Sequence, residues 1–333
     1  ADVSDGDVID AGDGRNLVLG DSGQISAHAA AGPRFGDQRI TLGLVTTIAP
    51  ETGGADHITT GSGADLILGG AAGDTIMSGA GRDVILGDHA QLTFGAGTGD
   101  WGNIDTIRSI DLNFGGADVI WANAGEDLVV GGHGPDVIDG NEDDDLILGD
   151  AAILVRRAGD SSSLRFQALG GTLLYSRSDL TGEAGEESGE LLVDGDPRAY
   201  RDPDGAPDWA AYAITELWHT ATIEAGLDPV AGPASFGDDY LAGGPGHDLI
   251  LGQLGDDVIQ GDGSIESYWT APVGAWRTPG GTSDPVGPLT VHPSFEAGSD
   301  GDDYVEGGGG SDVVFGGLGQ DDLVGGSSSL FSL

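Results

Sequence analysis

The chain has 333 residues, of which 63 are Gly and none is Cys, and its 56 acidic residues against 12 Arg and no Lys give a formal net charge of −44. Such a surface repels nucleic acid and anionic membranes, which call for basic patches, and zero Cys removes disulfides, thiolate catalysis and Cys-ligated zinc. No apolar run approaches the ~20 residues of a membrane-spanning helix, no charged-then-apolar signal segment opens the chain, and 38% hydrophobic residues is too many for a disordered acidic chain.

Asp and Gly recur in register along the chain. The N-terminus offers a short run, Asp7 followed nine residues later by Asn16. Asp56, Asp65, Asp74 and Asp83 are nine residues apart, with Ile58, Ile67, Ile76 and Ile85 each two residues further on. Asp105, in NIDTI, reads as an isolated member. Asp118, Asp127, Asp136 and Asp145 repeat the spacing with Ile120, Val129, Ile138 and Ile147. Asp239, Asp248 and Asp257 form a third long run and Asp303, Asp312 and Asp321 a fourth.

The unit is G-G-x-G-x-D-x-U-x, where U is a large aliphatic residue. Its x-U-x part alternates as a short strand does. Its Gly-rich half turns the chain, because Gly permits positive φ and close backbone approach. Through residues 2–21, 51–88, 100–150, 234–263 and 298–326 the chain resembles the RTX family of haemolysin-type calcium-binding repeats. The resemblance implies an all-β fold, a flattened parallel β-solenoid (the RTX β-roll) in which two nonapeptides make one coil and the U side chains stack inward. It also implies several Ca²⁺ ions lying between turns of successive coils. Hard oxygen donors, carboxylate and carbonyl, suit Ca²⁺ rather than Zn²⁺ or Cu²⁺. The expected bridged pairs are eighteen residues apart: Asp56 with Asp74, Asp65 with Asp83, Asp118 with Asp136, Asp127 with Asp145, Asp239 with Asp257, and Asp303 with Asp321. Asp residues that only shape turns would stack like charges with nothing between them, which is unfavourable. Asn16 in place of Asp weakens its site. Thr60, Ser78 and Ala122 replace the first Gly, and Pro135 precedes Asp136; these strain a turn and leave the ligand in place.

LGDSGQI (19–25), LGDHAQL (86–92) and LGDAAIL (148–154) each close a run, with QGDGSIE (260–266) a looser fourth. Asp21, Asp88, Asp150 and Asp262 mark exits into excursions; the last three join the candidate metal ligands, either adding a carboxylate to the last calcium or capping the turn. Residues 22–50 read as a β-hairpin, and 89–112 as QLTF with a short return. The largest excursion, 151–233, starts with strands over Ala151–Arg157, Leu164–Leu169 and Thr172–Ser178 and an acidic loop over 181–207. Pro207–Asp208 and Gly226 bound a predicted helix over 208–225, docked on the solenoid or available to a partner. Residues 264–297, with Trp269 and Trp276, read as an aromatic, Pro-rich loop, packed on the surface or contacting sugar or protein. Two solenoid blocks, 1–150 and 234–333, are expected on either side of 151–233.

His57, His133 and His247 fall in repeat positions and are expected at the surface. No H-E-x-x-H or G-x-S-x-G motif occurs, and no carboxylate pair stands out as a glycosidase couple from the calcium ligands. The expectation is therefore a secreted calcium-binding β-solenoid without a catalytic centre, folding outside the cell where calcium is high. Its role would be structural or adhesive, at the cell surface or in an extracellular fibre. The partners would be calcium, further copies stacked head to tail on open solenoid ends, or a surface glycan or protein; nucleic acid and membrane insertion are not expected. The resemblance implies bacterial type I export through a C-terminal signal, with GGSSSLFSL as its end. The alternatives are a folding and secretion module of a larger RTX enzyme or toxin, and a carbohydrate-binding or ice-binding domain.

Overall fold

A computed structural model describes residues 6–28, 42–95, 104–156, 168–169, 172–173, 209, 212–217, 236–278, 287–319 and 321–327. Each x-U-x segment is a strand, and successive strands alternate between two parallel eight-stranded sheets. Sheet A holds Val8–Gly12, His57–Thr60, Thr75–Met77, Val119–Ala124, Val137–Glu142, Tyr240–Ala242, Val258–Gln260 and Val313–Phe315. Sheet B holds Leu17–Leu19, Leu66–Leu68, Val84–Leu86, Leu128–Val130, Leu146–Leu148, Leu249–Leu251, Tyr304–Glu306 and Asp322–Val324. One strand of each makes a coil, so the described solenoid has eight coils.

Between the sheets run the U side chains. Val18, Ile58, Ile67, Ile76, Ile85, Ile120, Val129, Ile138, Ile147, Leu241, Ile250, Ile259 and Val305 are buried in one continuous cluster. Because strands pair in register, each U residue sits on the one a coil away, as Ile67 does on Ile85. The ladder does not stop at the large excursion. Val137–Glu142 pairs with Tyr240–Ala242, and Leu146–Leu148 with Leu249–Leu251. Where two blocks were expected, the strand pairing is that of a single solenoid, because residues 151–233 leave and return within one turn.

The excursions build a third layer. Gly23–Ala27 with Leu42–Thr47, Ala90–Phe94 with Ile104–Ser109, and Ala152–Arg156 with Tyr212–Glu216 are three antiparallel pairs. They join side by side into one six-stranded sheet, sheet C. Its inner row, Val45, Leu92, Ile107, Leu154 and Ile214, belongs to the same buried cluster as Leu66, Leu68, Leu86, Leu128, Val130, Leu146, Leu148, Leu249 and Leu251 on the outer face of sheet B.

The helix predicted over 208–225 is not what the structure holds at its centre: Tyr212–Glu216 is a strand. Pairing with Ala152–Arg156 and burial of Tyr212 and Ile214 override local helix propensity there; residues 218–225 lie outside the described residues. So do the acidic loop 181–207 and the C-terminal segment 328–333. The predicted strands 164–169 and 172–178 are described only as a pair of two-residue strands, Ala168–Leu169 and Thr172–Leu173. Residues 264–297 carry more regular structure than expected, a 3₁₀ turn Ile265–Ser267 and a hairpin of Gly274–Arg277 with Leu289–His292. This excursion covers part of the outer face of sheet A, where Ile265 and Val273 pack with Val137, Tyr240 and Ala242. Asp139 anchors it, accepting from Ser264 Oγ at 2.8 Å and Ile265 N at 3.0 Å.

Candidate metal centre

The repeat Asp residues sit where the chain turns from one sheet into the other, so they form two ladders. On the first edge, where sheet B leads into sheet A, the order is Asp7, Asp56, Asp74, Asp118, Asp136, Asp239, Asp257, Asp312. Each backbone N–H donates to Oδ1 of the next Asp at 2.6–3.2 Å. On the second edge the order is Asn16, Asp65, Asp83, Asp127, Asp145, Asp248, Asp303, Asp321, linked in the same way at 2.7–3.2 Å. All six expected pairs eighteen apart are coil neighbours. The structure also joins members across the excursions, such as Asp136 with Asp239, 103 residues away.

Oδ1 is thus satisfied, and Oδ2 is left over. In Asp56, Asp74, Asp118, Asp136, Asp239, Asp257 and Asp312 of the first ladder, Oδ2 is buried without a hydrogen-bond partner. The same holds for Asp65, Asp83, Asp127, Asp145 and Asp248 of the second. A buried carboxylate oxygen lacking any partner is costly. Burial pushes the Asp74 carboxyl up to about 9, with the Asp118 charge adding to it. Asp127 rises to about 10 and Asp257 to about 9, again through burial first and then a ladder neighbour. Asp118, Asp136, Asp145 and Asp248 are held well above the usual carboxylate range, with burial the leading cause. These columns of buried carboxylates ask for positive charge.

The first Gly of the repeat keeps room for it. At Gly252 a Cβ would lie 2.6 Å from Asp257 Oδ2 and 2.8 Å from the carbonyl oxygen of Gly307, the equivalent Gly one coil on. Gly20, Gly69, Gly87, Gly131, Gly140, Gly149, Gly243 and Gly261 show the same meeting of an Asp Oδ2 with the next coil's Gly carbonyl. The second Gly serves a different need, a left-handed backbone, as at Gly70 (φ 119°) and Gly132 (φ 119°). Carboxylate and carbonyl oxygens gathered at a space held open by Gly form a hard, all-oxygen donor set. No cluster of three His or acidic side chains occurs among the described residues, as follows where backbone carbonyls supply much of the shell. The residues present fit Ca²⁺.

Compared with known protein families, the chain matches the RTX calcium-binding nonapeptide repeat (four copies) at residues 52–85, 115–136, 127–152, 234–264 and 297–328. This is an RTX-family repeat protein. It is a calcium-binding β-roll, and RTX repeats are typical of secreted proteins. No curated protein and no solved structure matches it. Among the described residues no helix is long and apolar enough to cross a membrane.

Several predicted site residues lie apart from this RTX donor set. Asp105 stands exposed on the sheet C strand Ile104–Ser109, drawn out of the ladder by pairing with Ala90–Phe94. The exit residues cap turns. Asp88 accepts from Gly116 N at 3.0 Å through Oδ1 and from His133 N through Oδ2. Asp150 accepts from Gly237 N at 3.4 Å and Leu254 N at 2.9 Å. Asp21 does the same with Gly54 N at 3.3 Å and Ala71 N at 2.6 Å. Each carboxylate therefore ties the returning chain to the turn one coil further on, which is the geometry of a turn cap. Asp262 accepts from Gly301 N at 2.9 Å. Gln253, absent from the sequence reading, stands at the second Gly position with φ 74°. Its amide accepts from Asp150 N at 3.0 Å and donates to Ala151 O at 2.9 Å, fixing the exit of the largest excursion. A Gln where the repeat calls for Gly was its signal. His57 is exposed as expected, whereas His133 and His247 are half-buried; His247 Nδ1 accepts from Asp302 N at 2.7 Å.

Proposed function

We propose that calcium is the folding switch of a secreted structural or adhesive protein, taken up at many sites by the ladder Asp carboxylates and Gly carbonyls. The observation that carries this reading is the column of buried Oδ2 atoms without partners in both ladders. A chain that must stack these carboxylates gains its fold only where a cation neutralises them. Extracellular calcium sites often work at roughly 10⁻⁴–10⁻³ M, far above cytosolic calcium, so the chain stays loose inside the cell and folds outside. Type I export fits this order of events.

A scaffolding role, with no chemistry of its own, is supported by the architecture. The described parts of the excursions brace sheet B with sheet C and cover part of sheet A, and the repeat Asp residues form the two ladders. Adhesion has a specific candidate surface. Trp269 is 55% exposed and stacks on Trp121 at 6.0 Å, and Trp276 is 45% exposed beside His292. Such aromatic faces suit a glycan, the partner favoured for an adhesin. Far-UV circular dichroism in EGTA and in millimolar calcium tests the switch: a cooperative gain of β signal is expected, and equal spectra without bound metal would sink it. Electron microscopy in the same two buffers tests the fibre. Calcium-dependent filaments support self-assembly; single short particles leave adhesion, read by glycan arrays with Trp269→Ala as the control.

A further inference from the structure

The two edges of the solenoid are built differently. Every first-edge turn from Asp56 to Asp312 keeps Gly at the first position, whether or not an excursion follows it: Gly20, Gly69, Gly87, Gly131, Gly149, Gly252 and Gly307. On the second edge the same position is Ala11, Thr60, Ser78 and Ala122 in the first four coils and becomes Gly only from Gly140 onward. Thr60, Ser78 and Ala122 are buried and none has a positive φ, so these turns are not strained by their side chains.

Thr60 and Ser78 fill the space there with hydrogen-bond donors, and Ala11 and Ala122 with a methyl group. The Thr60 hydroxyl donates to the Ser78 carbonyl. The Ser78 hydroxyl donates to the Ala122 carbonyl at 2.6 Å. These carbonyls are the counterparts of those that meet Asp Oδ2 at the Gly turns. In the first coil the Asn16 amide donates to the Gly12 and Gly14 carbonyls at 2.9 and 3.0 Å, and also to Asp65 Oδ1 at 3.1 Å. A hydroxyl or amide N–H thus answers oxygens that a cation would otherwise gather, and the side chain takes up the room.

Building on the calcium reading above, we propose that the second edge of the first four coils is a calcium-free zipper. Calcium loads along the whole first edge and on the second edge only from Asp145 onward. Asp65, Asp83 and Asp127 are then turn acceptors through Oδ1 rather than ligands; their Oδ2 atoms are buried without partners like those of the first ladder, and what they lack is the open space of a Gly turn. One flank of the N-terminal half is stapled by donors present at any calcium concentration, and the other flank closes only with the ion.

Native mass spectrometry of the full chain in calcium counts the ions. Asp74→Asn and Asp136→Asn, on the first edge, should each lower the count. Asp65→Asn and Asp83→Asn should leave it at the wild-type value, since Asn keeps the Oδ1 acceptor. Thr60→Gly/Ser78→Gly/Ala122→Gly, which reopens the space, should add ions. Equal losses from Asp83→Asn and Asp74→Asn overturn the proposal. If an Asn variant does not fold, Ser78→Gly alone decides: a gained ion supports the zipper, and an unchanged count overturns it. A wild-type chain that binds no calcium defeats the calcium reading itself, whereas a loaded wild type with losses on both edges defeats only the asymmetry.

Discussion

Replacing Asp136 by Asn should lower stability in the presence of calcium and not in its absence. Asp136 is fully buried in the middle of the first ladder, between Asp118 and Asp239. Asn is isosteric and keeps the oxygen that accepts Asp118 N–H at 2.8 Å, so the backbone ladder survives. What goes is one negative charge shared by the two flanking calcium sites. Suppose each site falls from calcium at roughly ten times Kd to about equal to Kd. The stabilisation RT ln(1 + [L]/Kd) then drops by about 1 kcal/mol per site, or about 2 kcal/mol for the pair. In EGTA the same change removes a buried, uncompensated charge from a column of like charges, and any residual structure should be unaffected or more stable. The assay is thermal and urea unfolding followed by far-UV circular dichroism, at several fixed calcium concentrations and in EGTA. A loss of the same size in both conditions would refute the cation-neutralised ladder and reduce Asp136 to a packing residue.

Other changes probe the remaining parts. Gly252→Ala places a methyl 2.6 Å from Asp257 Oδ2 and 2.8 Å from the Gly307 carbonyl; it should cost about 1–3 kcal/mol and one calcium, while Gly298→Ala, with nothing within 4 Å, should be neutral in both readouts. Ile107→Ala, at a fully buried point of the inner row of sheet C, should cost about 2–5 kcal/mol in saturating calcium, measured by urea unfolding. Glu216 is buried with its carboxyl pushed up to about 8, by burial first and by Glu306 second. The folded state therefore binds a proton that the unfolded chain has released, so stability is greatest below the ordinary Glu value of 4.5 and falls as pH rises towards 8. Glu216→Gln should match wild type near pH 5 and exceed it near pH 8 in melting temperature at saturating calcium; parallel pH curves would contradict this.

The nine-residue period made the solenoid legible because each part of it answers one local demand. Asp257, Gly252 and Ile259 can each be assigned from spacing alone, as oxygen donor, space-keeper and core. The hairpins were legible singly, through alternation in stretches such as Gly23–Ala27 and Leu42–Thr47. Their union into sheet C was not read, although a signal was present. The first six strands of sheet B read LVL, LIL, VIL, LVV, LIL and LIL, apolar on both faces, whereas those of sheet A include HIT and TIM. A strand apolar on both faces needs a cover on each, which implies a layer over sheet B. The predicted helix failed at Tyr212–Glu216 because burial of alternate residues against sheet B outweighs propensity. The capping by Asp88 and Asp150 depends on N–H groups 28 to 104 residues away, a relation that appears only once coils are stacked.

The spacing of the excursions follows from the geometry of strands. The exits at Asp21, Asp88 and Asp150 follow the sheet B strands of the first, third and fifth coils. Coils stack at one strand spacing, about 4.8 Å, and each hairpin occupies two such spacings within sheet C. A hairpin every second coil therefore tiles sheet C without a gap or an overlap, and the order of the six strands is the order of the coils they leave. Hairpins on consecutive coils would collide, and hairpins three coils apart would leave an unpaired edge between neighbours. The sequence intervals of 67 and 62 residues between exits differ because loop lengths differ, while the interval in coils is fixed at two. This argument predicts that deleting one whole coil, residues 66–83, which hold one strand of each sheet, is tolerated by the two ladders but not by sheet C. The first hairpin would then stand one spacing from the second. The variant should keep a calcium-dependent β spectrum yet expose the apolar face of sheet B, read as increased binding of a hydrophobic dye in calcium. A deletion variant that binds no more dye than wild type would show that sheet C adjusts its own register, and that the two-coil interval carries no structural requirement.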